Sequence, residues 1–406
     1  MYRFWFLLAL QFLLLSCRTA VPLREAEPPA KTPLTEGADS MALSPPGLIP
    51  LEQFARPRPP APDERRVEEL LASLTLEQKI GQRFIITVRG TRLSRTEATL
   101  IGDGLVGGII LNSGNIAGRE QVQALTGAIE AAGREGAGGV PFIGIDQEGG
   151  RVNRLEIRNI TRFPAPFHWR ETGDPFFVEA AAYIISREIA ALGFNMNFAP
   201  VLDLYGRGDD SVIGDRAMGD EPWQVGRLGA YYLRGAGQAG IIPVAKHFPG
   251  HGRTTVNSHF RLPVLEVTED TLLHYDLLPF RIAIEQGAEA LMTAHILYPQ
   301  IDPDYPVTLS ARFIRGLLRG RLGYEGVVIS DDITMGALRT NFTLTEILRQ
   351  AIRAGVDLIL VQGPADLPGL IAAVLELHER GEISLEEIEE AVRRILRLKL
   401  KYGLIS

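Results

Sequence analysis

Three of the seven histidines in the chain lie within one short segment, IPVAKHFPGHGRTTVNSHFRLP (242–263), as His247, His251 and His259. The segment begins as an apolar run and changes at Lys246 to charged residues, glycine and imidazole. A buried strand that ends at a reaction surface has this pattern. The two chemistries open to such a segment are metal binding and catalysis by imidazole.

The spacing of these histidines argues against a metal site. His247 and His251 are four residues apart, which on a helix would place both imidazoles on one face. Pro249 and Gly250 lie between them and prevent that helix. We therefore predict no metal site, and we interpret His251 as a loop residue that hydrogen-bonds the backbone.

Polar residues also follow other apolar runs, at the point where each run would end as a strand. Asp146, Asp203 and His295 occupy such positions, and the pair Asp331-Asp332 follows the seventh run. Because adjacent side chains of a strand point in opposite directions, only one carboxylate of the pair can face the site. The other is expected to cap a helix or lie in a loop. A ring of carboxylates, cations and imidazoles suits a hydroxyl-rich ligand.

The elements that must position these residues alternate between strand and helix along the chain. Apolar runs with strand character lie at 84–88, 106–111, 141–146, 194–204, 241–247, 290–296, 326–332 and 356–363. Helical periodicity is clearest at 119–132, 176–191, 222–239, 269–286, 311–321 and 385–404. Eight such units predict an α/β fold, a (β/α)8 TIM barrel. A doubly wound open sheet is the alternative, but the strand count favours the closed barrel. The final helix leaves no room for a second large domain.

The first 17 residues have the features of a secretory leader. Arg3 precedes the apolar stretch FWFLLALQFLLL (4–15), which is too short to span a membrane comfortably. The leader finishes as LLSC, which resembles the lipobox of bacterial lipoproteins, where the cysteine becomes an acylated N-terminus. Cys17 is the only cysteine in the chain, so no intramolecular disulfide is possible. We expect Cys17 to be lipidated.

Composition divides the rest of the chain into two parts. Residues 18–62 are rich in proline, alanine and small polar residues, which predicts a semi-rigid tether. Residues 63–406 can bury a large core and form the predicted barrel. The net charge of −7 argues against nucleic acid as a partner. We expect an exported protein held on a bacterial membrane by its lipid.

Five motifs lie at or just after predicted strand ends. They are IDQEGGRVNR (145–154), FAPVLDL (198–204), KHFPGHG (246–252), SHFRLP (258–263) and ISDDITMGAL (329–338). Together these motifs resemble glycoside hydrolase family 3, and most of all its single-barrel β-N-acetylglucosaminidases. The resemblance covers about 74–363.

The resemblance implies a retaining mechanism with assigned residues. Asp331 is the implied nucleophile, which forms a covalent glycosyl-enzyme. His259 is the implied acid/base, a role that suits imidazole because its ordinary pKa lies near neutrality. No metal or organic cofactor is implied. The residues implied to hold the sugar hydroxyls and acetamido group are Asp146, Arg154, Arg216, Lys246 and His247.

The chain departs from the family pattern beside the acid/base. Two positions before the histidine the family has an aspartate that orients the imidazole, whereas this chain has Asn257. An asparagine carbonyl can accept a hydrogen bond from the ring but adds no negative charge. In a serine-protease triad the same change costs about 10⁴ in rate.

These observations favour an exo-acting, retaining β-N-acetylhexosaminidase that removes terminal N-acetylglucosamine from cell-wall (peptidoglycan) fragments or related glycans. The first alternative is another activity of the same family, a phosphorylase or a β-glucosidase. The phosphorylase is considered because a neutral Asn257 repels phosphate less than aspartate would. A lipid-anchored saccharide-binding protein with weakened catalysis is the second. The expected partners are a carbohydrate substrate and the membrane lipid, with no protein partner.

Overall fold

The predicted strands form one parallel sheet that closes on itself. The computed structural model describes residues 63–172, 174–205, 211–363 and 366–406, so Cys17 and the predicted tether lie outside the described residues. Eight barrel strands are present: β1 Phe84–Thr87, β2 Gly108–Leu111, β3 Phe142–Ile145, β4 Met196–Asn197, β5 Ile242–Phe248, β6 Ala290–Thr293, β7 Val327–Ser330 and β8 Ile359–Val361.

Hydrogen bonds between the first and last strands close the sheet. Neighbouring strands pair in parallel from β1 through to β7, and β1 also pairs with β8, where Phe84 lies opposite Ile359. Between β7 and β8 the amide of Ser330 donates to the carbonyl of Leu358 at 2.9 Å. The predicted (β/α)8 barrel is therefore confirmed.

The strands are buried on both sides, which explains their nearly continuous apolar sequences. Inside the barrel, side chains such as Phe142, Met196 and Ile242 form one core cluster. Ile395 and Leu398 of the last helix pack into the same cluster. This helix therefore packs against the core of the barrel.

The helices surround the sheet and begin where the sequence provides caps. Four of them start with a complete capping box, for example Thr343 with Glu346 before the helix Leu344–Ala354. None of the helices in the described part of the chain is both long and apolar enough to cross a membrane. The α-helices are Glu64–Ser73, Leu76–Gly81, Arg95–Gly102, Arg119–Arg134, Pro175–Ala190, Pro222–Gln238, Glu269–Thr271, Leu278–Glu285, Gly336–Arg339, Leu344–Ala354, Leu367–Glu379 and Leu385–Lys401.

Three sequence predictions of secondary structure need correction. The long strand predicted at 194–204 is only Met196–Asn197, followed by an irregular segment with one isolated bridge. Proline at position 200 has no amide hydrogen for a sheet ladder, so the apolar run cannot continue as a strand. The helix predicted at 311–321 is a π-helix, Arg312–Arg321. The helix predicted at 269–286 is divided into the short α-helix Glu269–Thr271, the π-helix Leu272–Asp276 and the α-helix Leu278–Glu285.

A buried lysine lies at the end of the barrel away from the strand carboxyl ends. The Nζ of Lys399 donates to the side-chain oxygen of Gln82 at 2.7 Å and to the carbonyl of Gly138 at 2.8 Å. Both acceptors are neutral. Burial lowers the pKa of Lys399 from its ordinary 10.5 to about 7.

This lysine should make stability depend on pH. Between about 7 and 10.5 the unfolded chain binds the lysine proton and the folded chain does not, so the free energy of unfolding rises with pH. Compared with Lys399→Met, the wild type should gain on the order of a few kcal/mol between pH 7 and about pH 9.5. Urea unfolding at the two pH values measures this. Equal pH dependence of the two proteins would contradict the prediction, and Lys79→Met, which removes an ion pair with Glu389, is the control.

Candidate active site

A cavity of about 350 Å³ lies at the carboxyl ends of the strands, and apolar side chains from β2, β6 and β8 form its floor. In a parallel barrel this is the face where reactive residues meet. All eight residues that the sequence placed in the catalytic or sugar-binding site line this one cavity. They are Asp146, Arg154, Arg216, Lys246, His247, Asn257, His259 and Asp331.

The two adjacent aspartates after β7 have different surroundings. Asp331 lines the cavity, and one of its oxygens accepts a hydrogen bond from the amide of Asp332 at 2.8 Å. The carboxylate of Asp332 instead accepts from the amides of Thr334 at 3.0 Å and Gln362 at 3.1 Å. The prediction that only one of the pair faces the site is therefore correct, and Asp332 holds the turn.

The surroundings of Asp331 favour its ionised form. Burial alone would raise its pKa, but the nearby imidazoles of His295 and His247, the Asp332 amide and the Lys246 ammonium outweigh burial and hold the pKa below its ordinary value. An ionised carboxylate open to the cavity is the form that a nucleophile requires.

A buried network of charges forms one wall of the cavity. The Nζ of Lys246 lies 2.7 Å from an oxygen of Asp146 and 2.7 Å from an oxygen of Glu148. Arg216 donates two hydrogen bonds to Glu148, at 2.7 and 2.9 Å. Glu148 therefore fixes both cations, although it was not among the residues predicted for the site.

The same network sets the ionisation of its members. Burial would raise the pKa of Glu148, but Arg216 and Lys246 reverse this and hold it well below its ordinary value. Burial would lower the pKa of Lys246, but Asp146 and Glu148 raise it instead. Both cations therefore remain charged donors toward the cavity.

Arg154 has an unpaired donor in the same wall. Its Nη2 lies 3.8 Å from an oxygen of Asp146, and its buried Nε has no hydrogen-bond partner among the described residues. A buried donor without a partner is costly. A ligand oxygen in the cavity could satisfy it, in keeping with the predicted role of Arg154 in sugar binding.

Asp203 orients the histidine that follows Lys246. One of its oxygens lies 2.7 Å from Nδ1 of His247, and the other accepts from the amides of His247 at 3.1 Å and His251 at 2.7 Å. A carboxylate on Nδ1 fixes the tautomer and leaves Nε2 for a ligand. The position of Asp203 at a predicted strand end did not indicate that it pairs with His247.

The interpretation of His251 as a loop residue that hydrogen-bonds backbone was wrong for its ring. The ring is buried and contacts two side-chain hydroxyls, Oγ1 of Thr254 at 2.5 Å and Oγ of Ser258 at 3.1 Å. His251 also lines the cavity. Its partners lie later in the loop, so their proximity depends on how the loop folds back.

Asn257 does not orient the ring of His259 through its oxygen. That oxygen accepts from the backbone amide of His259 at 2.9 Å, which is a local turn typical of asparagine and aspartate. Both residues are exposed and line the same cavity as Asp331. The suggestion that the Asn257 carbonyl receives the ring hydrogen bond therefore does not hold in this arrangement.

Asn257→Asp is expected to raise kcat/KM, by a few-fold up to about tenfold for substrates that need leaving-group protonation. One aspartate oxygen can keep the turn, while the second places a negative charge near the imidazole and stabilises its protonated form. The alkaline limb of the pH profile of kcat/KM should move to higher pH. Asn257→Ala, which loses the turn, should lower the rate. Unchanged or lower activity of Asn257→Asp would contradict this account of the loop.

Comparison with known proteins supports the same family as the motifs. Residues 75–398 match the model of the glycosyl hydrolase family 3 N terminal domain. The chain is 38% identical over 337 residues to the beta-hexosaminidase of Alkalilimnicola ehrlichii, covering 77% of this chain and 95% of that protein. It is 31% identical to beta-hexosaminidase A of Pseudoalteromonas piscicida, covering 81% and 61% respectively.

Solved structures of similar proteins share the barrel. A glycoside hydrolase family 3 beta-N-acetylglucosaminidase from Paenibacillus sp. str. FPU-7 is 40% identical with a TM-score of 0.77, covering 82% of this chain and 63% of that one. NagZ from Neisseria gonorrhoeae, solved in complex with N-trifluoroacetyl-D-glucosamine, is 32% identical with a TM-score of 0.65, covering 78% and 89%.

The closed barrel and a charged cavity at the carboxyl ends of its strands define a TIM-barrel enzyme of the kind that processes hydroxyl-rich molecules. The chain belongs to family 3 of the glycosyl hydrolases and is a glycoside hydrolase.

Proposed function

We propose that this glycoside hydrolase removes terminal β-linked N-acetylglucosamine from peptidoglycan fragments or related glycans, with retention of configuration. Its class, a β-N-acetylhexosaminidase, follows from the family and from the beta-hexosaminidases that it matches. The substrate, the stereochemical course and the acting residues are the proposal. The observation that carries it is the presence of Asp331 and His259 in one cavity walled by sugar-binding candidates.

Two steps complete the proposed reaction. The Asp331 carboxylate attacks the anomeric carbon as the bond to the leaving oxygen breaks, and protonated His259 gives its proton to that oxygen. Neutral His259 then takes a proton from water, whose oxygen attacks the anomeric carbon and releases the carboxylate. The free sugar keeps the β configuration because two inversions have occurred.

The cavity wall supports a sugar in the terminal subsite. Lys246, Arg216 and Arg154 supply donors, and Asp146 supplies an acceptor, for hydroxyl and acetamido groups. His247 offers the ring nitrogen that Asp203 leaves open. An exo-acting enzyme binds one terminal sugar in this way.

A panel of aryl β-glycosides that differ only at the 2-position tests this function. The acetamido substrate is expected to exceed the 2-hydroxy substrate in kcat/KM by at least about 10²-fold, because donors that hydrogen-bond the acetamido carbonyl would otherwise be left unpaired. Equal rates would overturn the N-acetylglucosamine assignment and favour a β-glucosidase.

Phosphorolysis is a second candidate because Asn257, which lines the cavity beside His259, carries no charge to repel phosphate. Product analysis of the same panel with inorganic phosphate separates the two reactions. Sugar 1-phosphate as the main product would establish the phosphorylase, whereas free N-acetylglucosamine alone would remove it.

We also propose that the enzyme is exported and lipid-anchored through Cys17. The proposal is supported by the leader, the sole cysteine at its end and the proline-rich residues 18–62. A membrane-bound wild type and a Cys17→Ser variant released by washing would support the anchor. Release of both proteins by the same wash would refute it.

A further inference from the structure

The buried ring of His251 connects two parts of the loop that carries His259. One ring nitrogen lies 2.5 Å from Oγ1 of Thr254 and the other lies 3.1 Å from Oγ of Ser258. The backbone amide of His251 donates to Asp203 at 2.7 Å, so the histidine itself is fixed to the residue that orients His247. His251 therefore joins the rigid end of β5 to the loop.

Ser258 is held from two sides. Its hydroxyl meets the His251 ring, while its carbonyl accepts from the amide of Ala337 at 3.0 Å. The next carbonyl, that of His259, accepts from the amide of Gly336 at 2.9 Å. Ser258 is buried, whereas His259 beside it is exposed and lines the cavity. The fixed position of Ser258 thus determines where the side chain of His259 begins.

We propose that His251 is a positioning residue that acts through Ser258 to hold the imidazole of His259 at the mouth of the cavity. The inference rests on the proposed acid/base role of His259. It assigns His251 no contact with the reacting atoms.

The chemistry of the ring agrees with this role. Burial, and then the nearby charge of His247, lower the pKa of His251 to about 4. The ring is therefore neutral near pH 7, with one donor and one acceptor nitrogen that match its two hydroxyl partners. With both nitrogens occupied by the protein, no ring nitrogen is left for substrate.

The test compares Ser258→Ala with Ser186→Ala. Ser186 is buried in the helix Pro175–Ala190 and its Oγ has no hydrogen-bond partner among the described residues, so its variant controls for the loss of a buried hydroxyl. Aryl β-N-acetylglucosaminides with leaving groups of different basicity are used with wild type, both variants, His251→Leu and His251→Gln. The ratio kcat/KM reports the first step, in which only poor leaving groups need a proton.

Ser258→Ala and His251→Leu are expected to lower kcat/KM by about 10- to 100-fold for phenols of high pKa and by less than about threefold for dinitrophenol. Ser186→Ala should match the wild type. His251→Gln, which can still reach a hydroxyl, should recover part of the loss. The double variant His251→Leu/Ser258→Ala should have a kcat/KM no lower than that of the less active single variant, because both substitutions remove the same contact between His251 and Ser258.

Three results would overturn the proposal. The first is an unchanged kcat/KM for Ser258→Ala, and the second is an equal loss of kcat/KM for all leaving groups. The third is a double variant whose loss of kcat/KM equals the product of the two single losses. If His251→Leu does not fold, Ser258→Ala alone decides. His259→Ala in the same series tests the proposed function separately, because its failure to show leaving-group dependence would remove the acid/base assignment itself.

Discussion

Asp331→Asn is expected to lower kcat/KM by roughly 10⁴- to 10⁶-fold, the range seen when other covalent enzymes lose their nucleophile. The carboxylate lines the cavity, and its surroundings keep it ionised. An amide of nearly the same shape keeps the hydrogen bond from Asp332 but cannot form the ester with the anomeric carbon. Binding of N-acetylglucosamine as a competitive inhibitor should change little, because the charged wall remains.

The neighbouring residue provides the matched control. Asp332→Asn makes the same chemical change one position later, where the carboxylate holds the turn through the amides of Thr334 and Gln362. It should cost about 1–3 kcal/mol of stability and less than about tenfold in rate. The reverse order, with Asp332→Asn nearly inactive and Asp331→Asn active, would exchange the two roles and refute the nucleophile assignment.

Chemical rescue with azide tests whether the Asp331 carboxylate is the group that attacks the anomeric carbon. In Asp331→Gly, azide should enter the space of the carboxylate and attack the anomeric carbon of a dinitrophenyl β-N-acetylglucosaminide. One displacement gives the α-glycosyl azide, whereas a substrate-assisted path through the acetamido oxygen would need no carboxylate at this position. Absence of azide rescue combined with retained hydrolysis would favour the assisted path.

The fold could be predicted because each strand leaves a short apolar run with polar residues at its end, and each helix leaves an amphipathic period. Apolar runs with polar ends gave eight strands, and helices such as Arg119–Arg134 and Pro222–Gln238 have strong amphipathic patterns. The fourth apolar run predicts a strand that is too long, because apolar residues continue to Leu204 after the sheet pairing has ended at Asn197. A π-helix such as Arg312–Arg321 has nearly the same pattern as an α-helix, so sequence cannot separate the two.

The sequence predicted many of the residues in the site, but it did not predict which of them form hydrogen bonds and ion pairs with each other. Family motifs and strand ends together identified eight of the residues that line the cavity, whereas others such as Gln362 were not predicted. Neither signal indicates which carboxylate pairs with which cation. Glu148 lies 68 residues from Arg216, and Asp203 lies 44 residues from His247. Such contacts depend on strand order and side-chain direction. The loop around Asn257 has neither helical nor strand periodicity, so the sequence does not predict the turn in which the Asn257 side chain accepts from the His259 amide.

Gly336→Ala is the second substitution expected to have a large effect, a loss of about 10²- to 10³-fold in kcat/KM for substrates with poor leaving groups. A Cβ at this position would lie 2.5 Å from the carbonyl oxygen of Phe260 and 2.8 Å from that of His259. The loop must therefore move away, and the acid/base moves with it. Glycine begins the short helix Gly336–Arg339, where alanine would otherwise be favoured.

The control is Gly237→Ala in the helix Pro222–Gln238, where an added Cβ meets nothing within 4 Å. This variant should keep full activity and gain up to about 1 kcal/mol of stability. Gly336→Ala should keep its affinity for N-acetylglucosamine, because Lys246 and Arg216 do not belong to the loop, and should keep its rate on dinitrophenyl substrates. A wild-type rate on poor leaving groups would show that the Gly336 contact does not position His259. Loss of sugar affinity would show that the loop contributes to binding rather than to proton transfer.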